Sequence, residues 1–312
     1  MNHILITGAH GFLGRYVVEH CQRSGWQVDL LGRSGTADIV ADLSVGPPKL
    51  PPKLYKWVIH IAGKAHMIPA DDTERNEFFV VNTSGTKALV EALDKLQALP
   101  DALVYISTVA VYGCESGRDL SEDTPRAASD PYGLSKRIAE DIIFEWGAKR
   151  GVRIGIVRLP LIAGRGAPGN LGAMINAIAK RRYFGVGKGE ARRSIVNAFE
   201  VAAALPSVAT VGGVFHLTDG VHPSFIEIEA AIAKRLRQSP PPRIPLRIGR
   251  LGAYCGDIVQ RLGGRTVPFN TRVLRKMTTT LTFDDSRARQ LLGWSPTPVL
   301  DVIDEWCSVP LT

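Results

Sequence analysis

The stretch Ile4-Leu5-Ile6-Thr7-Gly8-Ala9-His10-Gly11-Phe12-Leu13-Gly14 decides the fold. A short apolar run ends in glycines spaced G-x-x-G-x-x-G, and a segment with Leu13, Val17, Val18 and Cys21 at helical spacing follows at once. That order predicts a strand at His3–Thr7, a tight turn and a helix at Phe12–Ser24. Gly8 permits the turn, Gly11 lets backbone approach a phosphate, and Gly14 lets helix and strand pack closely. The helix N-terminus adds oriented N–H donors and a favourable dipole. A dinucleotide pyrophosphate is therefore expected against Gly8, His10, Gly11, Phe12, Leu13 and Gly14. A generic tight turn is the plainer alternative.

Outward from this turn, β-branched runs alternate with helical patterns. Strands are expected at Gln27–Leu31, Trp57–Ala62, Leu103–Ser107 and Val152–Arg158, and helices at Glu74–Leu99 and Pro131–Arg150. Gly46–Lys53 holds four prolines in eight residues and is read as a loop. Such alternation makes βαβ units and a parallel sheet. Beyond Pro160 the pattern loosens into glycine-rich loops, with one more strand-like run at Gly213–Thr218. The expected plan is a dinucleotide-binding domain over 1–160, its sheet completed by about 190–218. A smaller basic domain would take 161–189 and 219–312.

At the end of the second strand stands Gly32-Arg33-Ser34. A carboxylate there would suit the ribose hydroxyls of NAD, whereas a guanidinium suits the 2′-phosphate of NADP, so NADP(H) is favoured with NAD(H) open. Asp42 and Leu43 would meet the adenine.

Composition excludes several classes. The 312 residues are 45% hydrophobic and 22% charged, an ordinary soluble balance. Cys21, Cys114, Cys255 and Cys307 are far apart, so neither a disulfide framework nor a metal site is expected. The N-terminus lacks a signal-peptide pattern and no apolar run reaches a membrane span, so a cytoplasmic location is expected. Charge is lopsided: residues 1–150 carry 16 Lys/Arg against 19 Asp/Glu, and residues 151–312 carry 22 against 11. A half this basic meets nucleic acid, phosphorylated metabolites or a membrane surface, or else is only a skewed solvated face. No nucleic-acid-binding motif accompanies it.

Tyr132-Gly133-Leu134-Ser135-Lys136 puts a phenol and an ammonium on one face of a helix. The ammonium should lower the phenol pKa and make it a proton carrier near neutrality. The same spacing also arises by chance on helix surfaces.

Taken with TGAHGFLG, VIHIAG, Val81-Asn82-x-x-Gly85-Thr86, STVAVYG at Ser107–Gly113, YGLSK and Leu291-Leu292-Gly293-Trp294-x-Pro296, the chain resembles the extended short-chain dehydrogenase/reductase family, in its nucleotide-sugar epimerase/dehydratase branch. The resemblance implies an α/β, Rossmann-type doubly wound parallel sheet with a smaller C-terminal substrate domain. It implies a catalytic Thr108, Tyr132 and Lys136: Thr108 holds the substrate oxygen, Tyr132 exchanges the proton, and Lys136 holds the nicotinamide ribose. Ala62, Gly63, Asn82 and Pro160 match cofactor-lining positions. His66 matches a site-facing histidine, Asn170 a diphosphate contact, and Arg193 a phosphate arginine, with Arg192 its one-residue rival. Arg275 is a looser second cation. A homodimer through the two long helices is also implied.

Within the branch, dehydratases carry an acid pair directly after the hydroxyl residue and epimerizing reductases carry a cysteine. Val109 and Ala110 are neither. What remains needs only a hydride and one proton, and Arg33 tips the expectation toward reduction of a 4-keto nucleotide sugar by NADPH. A 4-epimerase with tightly held NAD is the alternative, and the sub-branch implies a 2-N-acetylated 6-deoxy UDP-sugar. A non-catalytic NADP-binding regulator and a nucleic-acid binder are the rivals from other classes.

Overall fold

The structure, a computed structural model, describes residues 3–65, 69, 71–263, 267 and 269–307. The first half supplies β1 (His3–Thr7), β2 (Gln27–Gly32), β3 (Ile39–Val40), β4 (Trp57–His60), β5 (Ala102–Thr108), a short β6 (Gly117–Leu120) and then β7 (Arg153–Leu159). The second half adds β8 (Leu161–Ala163), β9 (Gly185–Val186), β10 (Ile195–Asn197), β11 (Gly213–His216), β12 (Arg243–Ile244) and β13 (Leu281–Phe283).

Seven strands form one parallel sheet in the order β11-β7-β5-β4-β1-β2-β3. Chain order reverses at β1, which has β2 on one side and β4 on the other, so a crevice opens beyond their carboxyl ends. This is the expected Rossmann-type architecture. Its strands are buried on both faces, which is why they read as apolar runs and not as alternating ones.

The helices are α1 (Phe12–Arg23), α2 (Asp72–Phe78), α3 (Gly85–Leu93), α4 (Pro131–Arg150), α5 (Gly169–Ala179), α6 (Ala198–Val211), α7 (Phe225–Arg235), α8 (Leu246–Gly263), α9 (Thr271–Thr278), α10 (Ser286–Leu292) and α11 (Ile303–Trp306). Ile4, Ile6, Val104 and Ile106 face α1 and α6 through Val17, Cys21, Val201 and Leu205. Leu5, Val58, Leu103 and Tyr105 point to the other face, against Leu89, Leu93, Ala139 and Ile143 of α3 and α4.

One expected element comes out differently. The single helix read over Glu74–Leu99 is α2, a π-helical turn at Phe79–Ser84, and α3, ending at Leu93. The wider turn carries Asn82 inward, 1% exposed. The rod stops because Asp94, at its C-cap, is held by Arg150 (2.7 and 2.9 Å) and by the Trp146 indole (2.8 Å). By contrast α4 begins as its sequence dictates, with Asp130 capping Gly133 N–H (3.2 Å), Pro131 in the first turn and Gly151 closing it at φ +69°.

The remaining chain builds a second lobe on two-stranded pairs, β8 with β10, β9 with β12 and β6 with β13. Among the described residues no helix is long and apolar enough to cross a membrane, and no cluster of three or more His, Cys, Asp or Glu side chains could hold a metal.

Candidate active site

The glycine turn closes on β4. Gly8 has φ +76°, and a Cβ there would lie 2.5 Å from the Ala62 nitrogen. A Cβ on Gly14 would lie 2.1 Å from the Gly8 carbonyl oxygen, so helix and strand meet only because residue 14 is glycine. Gly11 differs: a Cβ there would touch only that same oxygen, at 3.2 Å, and otherwise point into open space. The first turn of α1 has neither a side-chain cap nor an acid. The turn thus fits a pyrophosphate, with Gly11 at the open position and backbone N–H groups presented to it. Leu13 is buried and the Phe12 ring packs on Tyr16 and beside Gly164.

At the tip of β2, the His10 imidazole lies beside Gly32 and its Nε2 is 2.9 Å from the Thr36 hydroxyl, which meets Ser34 at 2.8 Å. Arg33 is 79% exposed, its guanidinium 4.0 Å from Asp42. Asp42 is occupied by Ser44, which donates through Oγ (2.6 Å) and N–H (2.9 Å) and holds the carboxyl below its ordinary value. Leu43 is buried against Gly85.

Behind the crevice runs a buried chain that sequence reading missed. The Thr86 hydroxyl donates to the Asn82 carbonyl (2.6 Å), so it must accept from His60 Nε2–H (2.9 Å), and His60 Nδ1 then accepts from the Thr7 hydroxyl (2.7 Å). Thr7 in turn accepts from the Ala62 N–H (3.2 Å). Asn82 binds Lys64 N–H (2.7 Å) through Oδ1 and donates to Ser135 Oγ (2.9 Å), tying the loop after β4 to α4. Pro160 is half-buried where β7 passes into β8.

The three residues expected to be catalytic converge at the end of β5. Thr108 caps a 3-10 turn over Val109–Tyr112 by accepting from the Ala110 N–H (3.2 Å), and its side chain lies near enough to the Tyr132 phenol to influence its pKa. Lys136, 5% exposed, donates to the Ile106 carbonyl (2.6 Å) and lies 4.0 Å from the centre of the Tyr105 ring. A Cβ on exposed Gly63 would sit 3.7 Å from its Nζ, so the ammonium stands at the crevice wall. The expected lowering of the phenol is reversed. Burial pushes Tyr132 up to about 12, Thr108 only partly offsetting it, and burial pushes Lys136 down to about 7. Desolvation is the largest cause for both groups and outweighs the favourable interactions.

Beneath them lies a second buried network. Glu140, one turn beyond Lys136, accepts from Ser107 Oγ, from Arg126 (3.2 Å) and from Arg158 (2.7 Å). Arg158 donates to Tyr112 Oη (2.8 Å), which donates to His216 Nε2 (2.6 Å), while His216 Nδ1–H donates to the Asp284 carbonyl (2.9 Å). Burial holds His60 down to about 3 and His216 down to about 4. Both stay neutral in the fold but take up a proton near pH 6.5 once unfolded, so stability falls as pH drops below 6.5. Each histidine contributes a loss of about 1.4 kcal/mol per pH unit down to its folded value. Thermal melts between pH 7 and 4 should show this, and a flat melting temperature over that range would contradict it.

The expected substrate contacts lie in the second lobe, Arg192 and Arg193 beside the end of α9 that carries Arg275. Asn170 is exposed in the first turn of α5. Arg193 is half-buried on the Phe225 ring (5.4 Å), its terminal nitrogens donating to the Arg192 (2.9 Å), Lys276 and Thr279 carbonyls. Arg192 is exposed, donating to the His222 carbonyl (3.0 Å) with Glu227 at 3.6 Å. Arg275 is exposed and pairs with Glu115. His66 lies outside the described residues.

The family model for the NAD dependent epimerase/dehydratase family matches residues 4–213. The chain belongs to that family. It is accordingly an enzyme of the nucleotide-sugar epimerase and reductase group. It is 25% identical to UDP-glucose 4-epimerase of Vibrio cholerae over 95% of this chain and 92% of that one. It is 27% identical to the N-acetyl-alpha-D-glucosaminyl-diphospho-ditrans,octacis-undecaprenol 4-epimerase of Escherichia coli O157:H7, over 67% of this chain and 65% of that one. GDP-6-deoxy-D-mannose reductase of Pseudomonas aeruginosa matches at 29% over half of each chain. The fold of this family member is that of UDP-glucuronic acid 4-epimerase from Bacillus cereus, solved with UDP-glucuronic acid and NAD (TM-score 0.73, 19% identity, 98% of each chain). It is also that of a human epimerase family protein solved with NADPH (TM-score 0.71, 18% identity, 94% of each chain).

Proposed function

We propose that this enzyme reduces the 4-keto group of a nucleoside-diphosphate hexose, using NADPH in preference to NADH. The observation that carries the reaction class is the end of β5: one phenol beside one hydroxyl, followed by Val109 and Ala110, which can move no proton. Chemistry there is confined to a hydride and a single proton. When bound in the glycine-lined crevice, the nicotinamide supplies the hydride. Thr108 Oγ1 holds the ketone oxygen and Tyr132 Oη gives it the proton. The half-buried phenol, its pKa raised to about 12, is held in its protonated form, which a reduction needs at the outset. Lys136, at the crevice wall beside Gly63, holds the ribose. Exposed Asn170 and Arg275 meet the diphosphate through charge-assisted bonds, the basic lobe supplying the field.

NADPH is supported by the tip of β2, where exposed Arg33, 4.0 Å from Asp42, directly precedes the Ser34 hydroxyl that is joined to Thr36 and His10. Arg33→Ala should lower kcat/KM for NADPH by about 10- to 100-fold, the worth of a charged hydrogen bond, and leave NADH nearly unchanged. Equal losses with both cofactors would remove the 2′-phosphate role. The reaction itself is tested by NADPH consumption across UDP-, GDP- and dTDP-4-keto sugars, with products read by mass spectrometry for the gain of two hydrogens.

A second reading, 4-epimerization with recycled NAD, is favoured by the Vibrio and Escherichia relatives. Stoichiometric NAD released from denatured protein, together with UDP-sugar interconversion without added cofactor, would establish it over the reductase.

A further inference from the structure

Helix α8, LRIGRLGAYCGDIVQRLG, is built inside out. Its buried face is made of small residues: Gly249, Ala253 and Gly256 turn inward toward Val186, Leu274 and Phe269. Its large apolar side chains turn outward instead, with Ile248 58%, Leu251 68%, Tyr254 67%, Ile258 52% and Val259 57% exposed. Residues 248, 251, 254, 258 and 259 fall on one side of the helix at 3.6 residues per turn, so these side chains form one stripe opposite the packed face. An ordinary surface helix does the reverse, and five large apolar residues in one stripe are a patch, not scattered exposure.

The charge around this stripe is mainly positive, although Arg243 is paired with Glu229 and Arg275 with Glu115. Residues 243–276 contain eight Lys/Arg and one acid, Asp257. That acid is half-buried and caps the N–H of Thr271 (3.3 Å). Arg247 and Arg250 are exposed along the flank of the stripe.

We propose that α8 docks this enzyme on the surface of an anionic lipid bilayer. The 18-residue helix, about 27 Å long, would lie in the plane of the interface, its stripe at the acyl boundary and its arginines among the headgroups. Charge complementarity selects this occupant. A second copy pressed onto the same face would set arginines against arginines with no acid to neutralise them. A nucleic acid would meet the cations but leave the apolar stripe unused. An anionic bilayer satisfies both at once. Docking through α8 is independent of the cofactor and substrate assignments, since no residue of α8 is among them.

Co-sedimentation of the full chain with phosphatidylcholine vesicles containing about one-third phosphatidylglycerol, and with phosphatidylcholine alone, tests it. The wild-type chain should pellet with the anionic vesicles and much less with the neutral ones. Leu251→Glu/Ile258→Glu should lower the partition coefficient by about tenfold or more, and Arg247→Gln/Arg250→Gln by about fivefold per arginine, with weaker binding at high salt. Because these side chains are exposed, melting temperature and turnover of a soluble nucleotide sugar should stay as in wild type, which separates lost docking from lost folding. Absence of any phosphatidylglycerol-dependent pelleting would overturn the proposal. So would a Leu251→Glu/Ile258→Glu chain that pellets like wild type, or a wild-type dimer that this variant dissociates, since the stripe would then be a subunit interface.

Discussion

Tyr132→Phe should lower kcat by about 10³-fold while leaving cofactor affinity almost unchanged. The ring would still pack near Phe78, whose centroid lies 6.0 Å away, and only the hydroxyl beside Thr108 would be lost. Removing the one proton donor at the end of β5 leaves hydride delivery without a partner, because Val109 and Ala110 offer no substitute. Cofactor titration by fluorescence and steady-state turnover together decide it. A Tyr132→Phe enzyme within tenfold of wild type would mean that the proton comes from elsewhere. Thr108→Val should act in the same direction with a smaller loss, since the phenol keeps its proton but the ketone oxygen loses a donor.

What could be read in the sequence was local. The glycines at 8, 11 and 14 announce a backbone that only glycine can follow, and Tyr132 and Lys136 announce one helix face by spacing alone. The parts that escaped depend on partners far along the chain. Asn82 reaches Ser135 because a π-helical turn rotates it inward, and nothing in FVVNTS marks that turn. His60 looks like one polar break in WVIHIA, and its role emerges only when Thr7 and Thr86 arrive on either side. The pKa direction at Tyr132 differs from the expected one for a related reason: spacing brings the ammonium near, but burial outweighs it, and the Ile106 carbonyl accepts a hydrogen bond from the ammonium. Helix α8 was passed over because helical periodicity is read by its large apolar residues facing a core, and here small residues face the core. Glu140 was legible in principle, four residues after Lys136 on the same face, yet a glutamate on a helix reads as solvated until Arg158 is placed beside it.

Glu140→Ala is the substitution with the largest expected effect on stability. Glu140 is fully buried and Arg158 is 3% exposed, and they share bonds of 2.7, 3.1 and 3.2 Å. Losing the carboxylate strands a guanidinium in the interior, a loss of about 3–5 kcal/mol. At about 2–4 °C per kcal/mol for a chain of this order, the melting temperature should fall by about 10 °C. Activity should fall further than the folded fraction does, because Ser107 is released from Glu140 and the adjoining Thr108 loses its anchorage. Packing and charge are separable here. Glu140→Leu with Arg158→Met removes both charges at similar volume, and such replacements of buried ion pairs are often neutral. The double variant should therefore recover most of the melting temperature lost by Glu140→Ala while turnover stays low, since Ser107 still lacks its acceptor. If Glu140→Ala instead melts like wild type, water must reach Arg158, and the network under Lys136 is not the dry, charge-balanced support that its geometry describes.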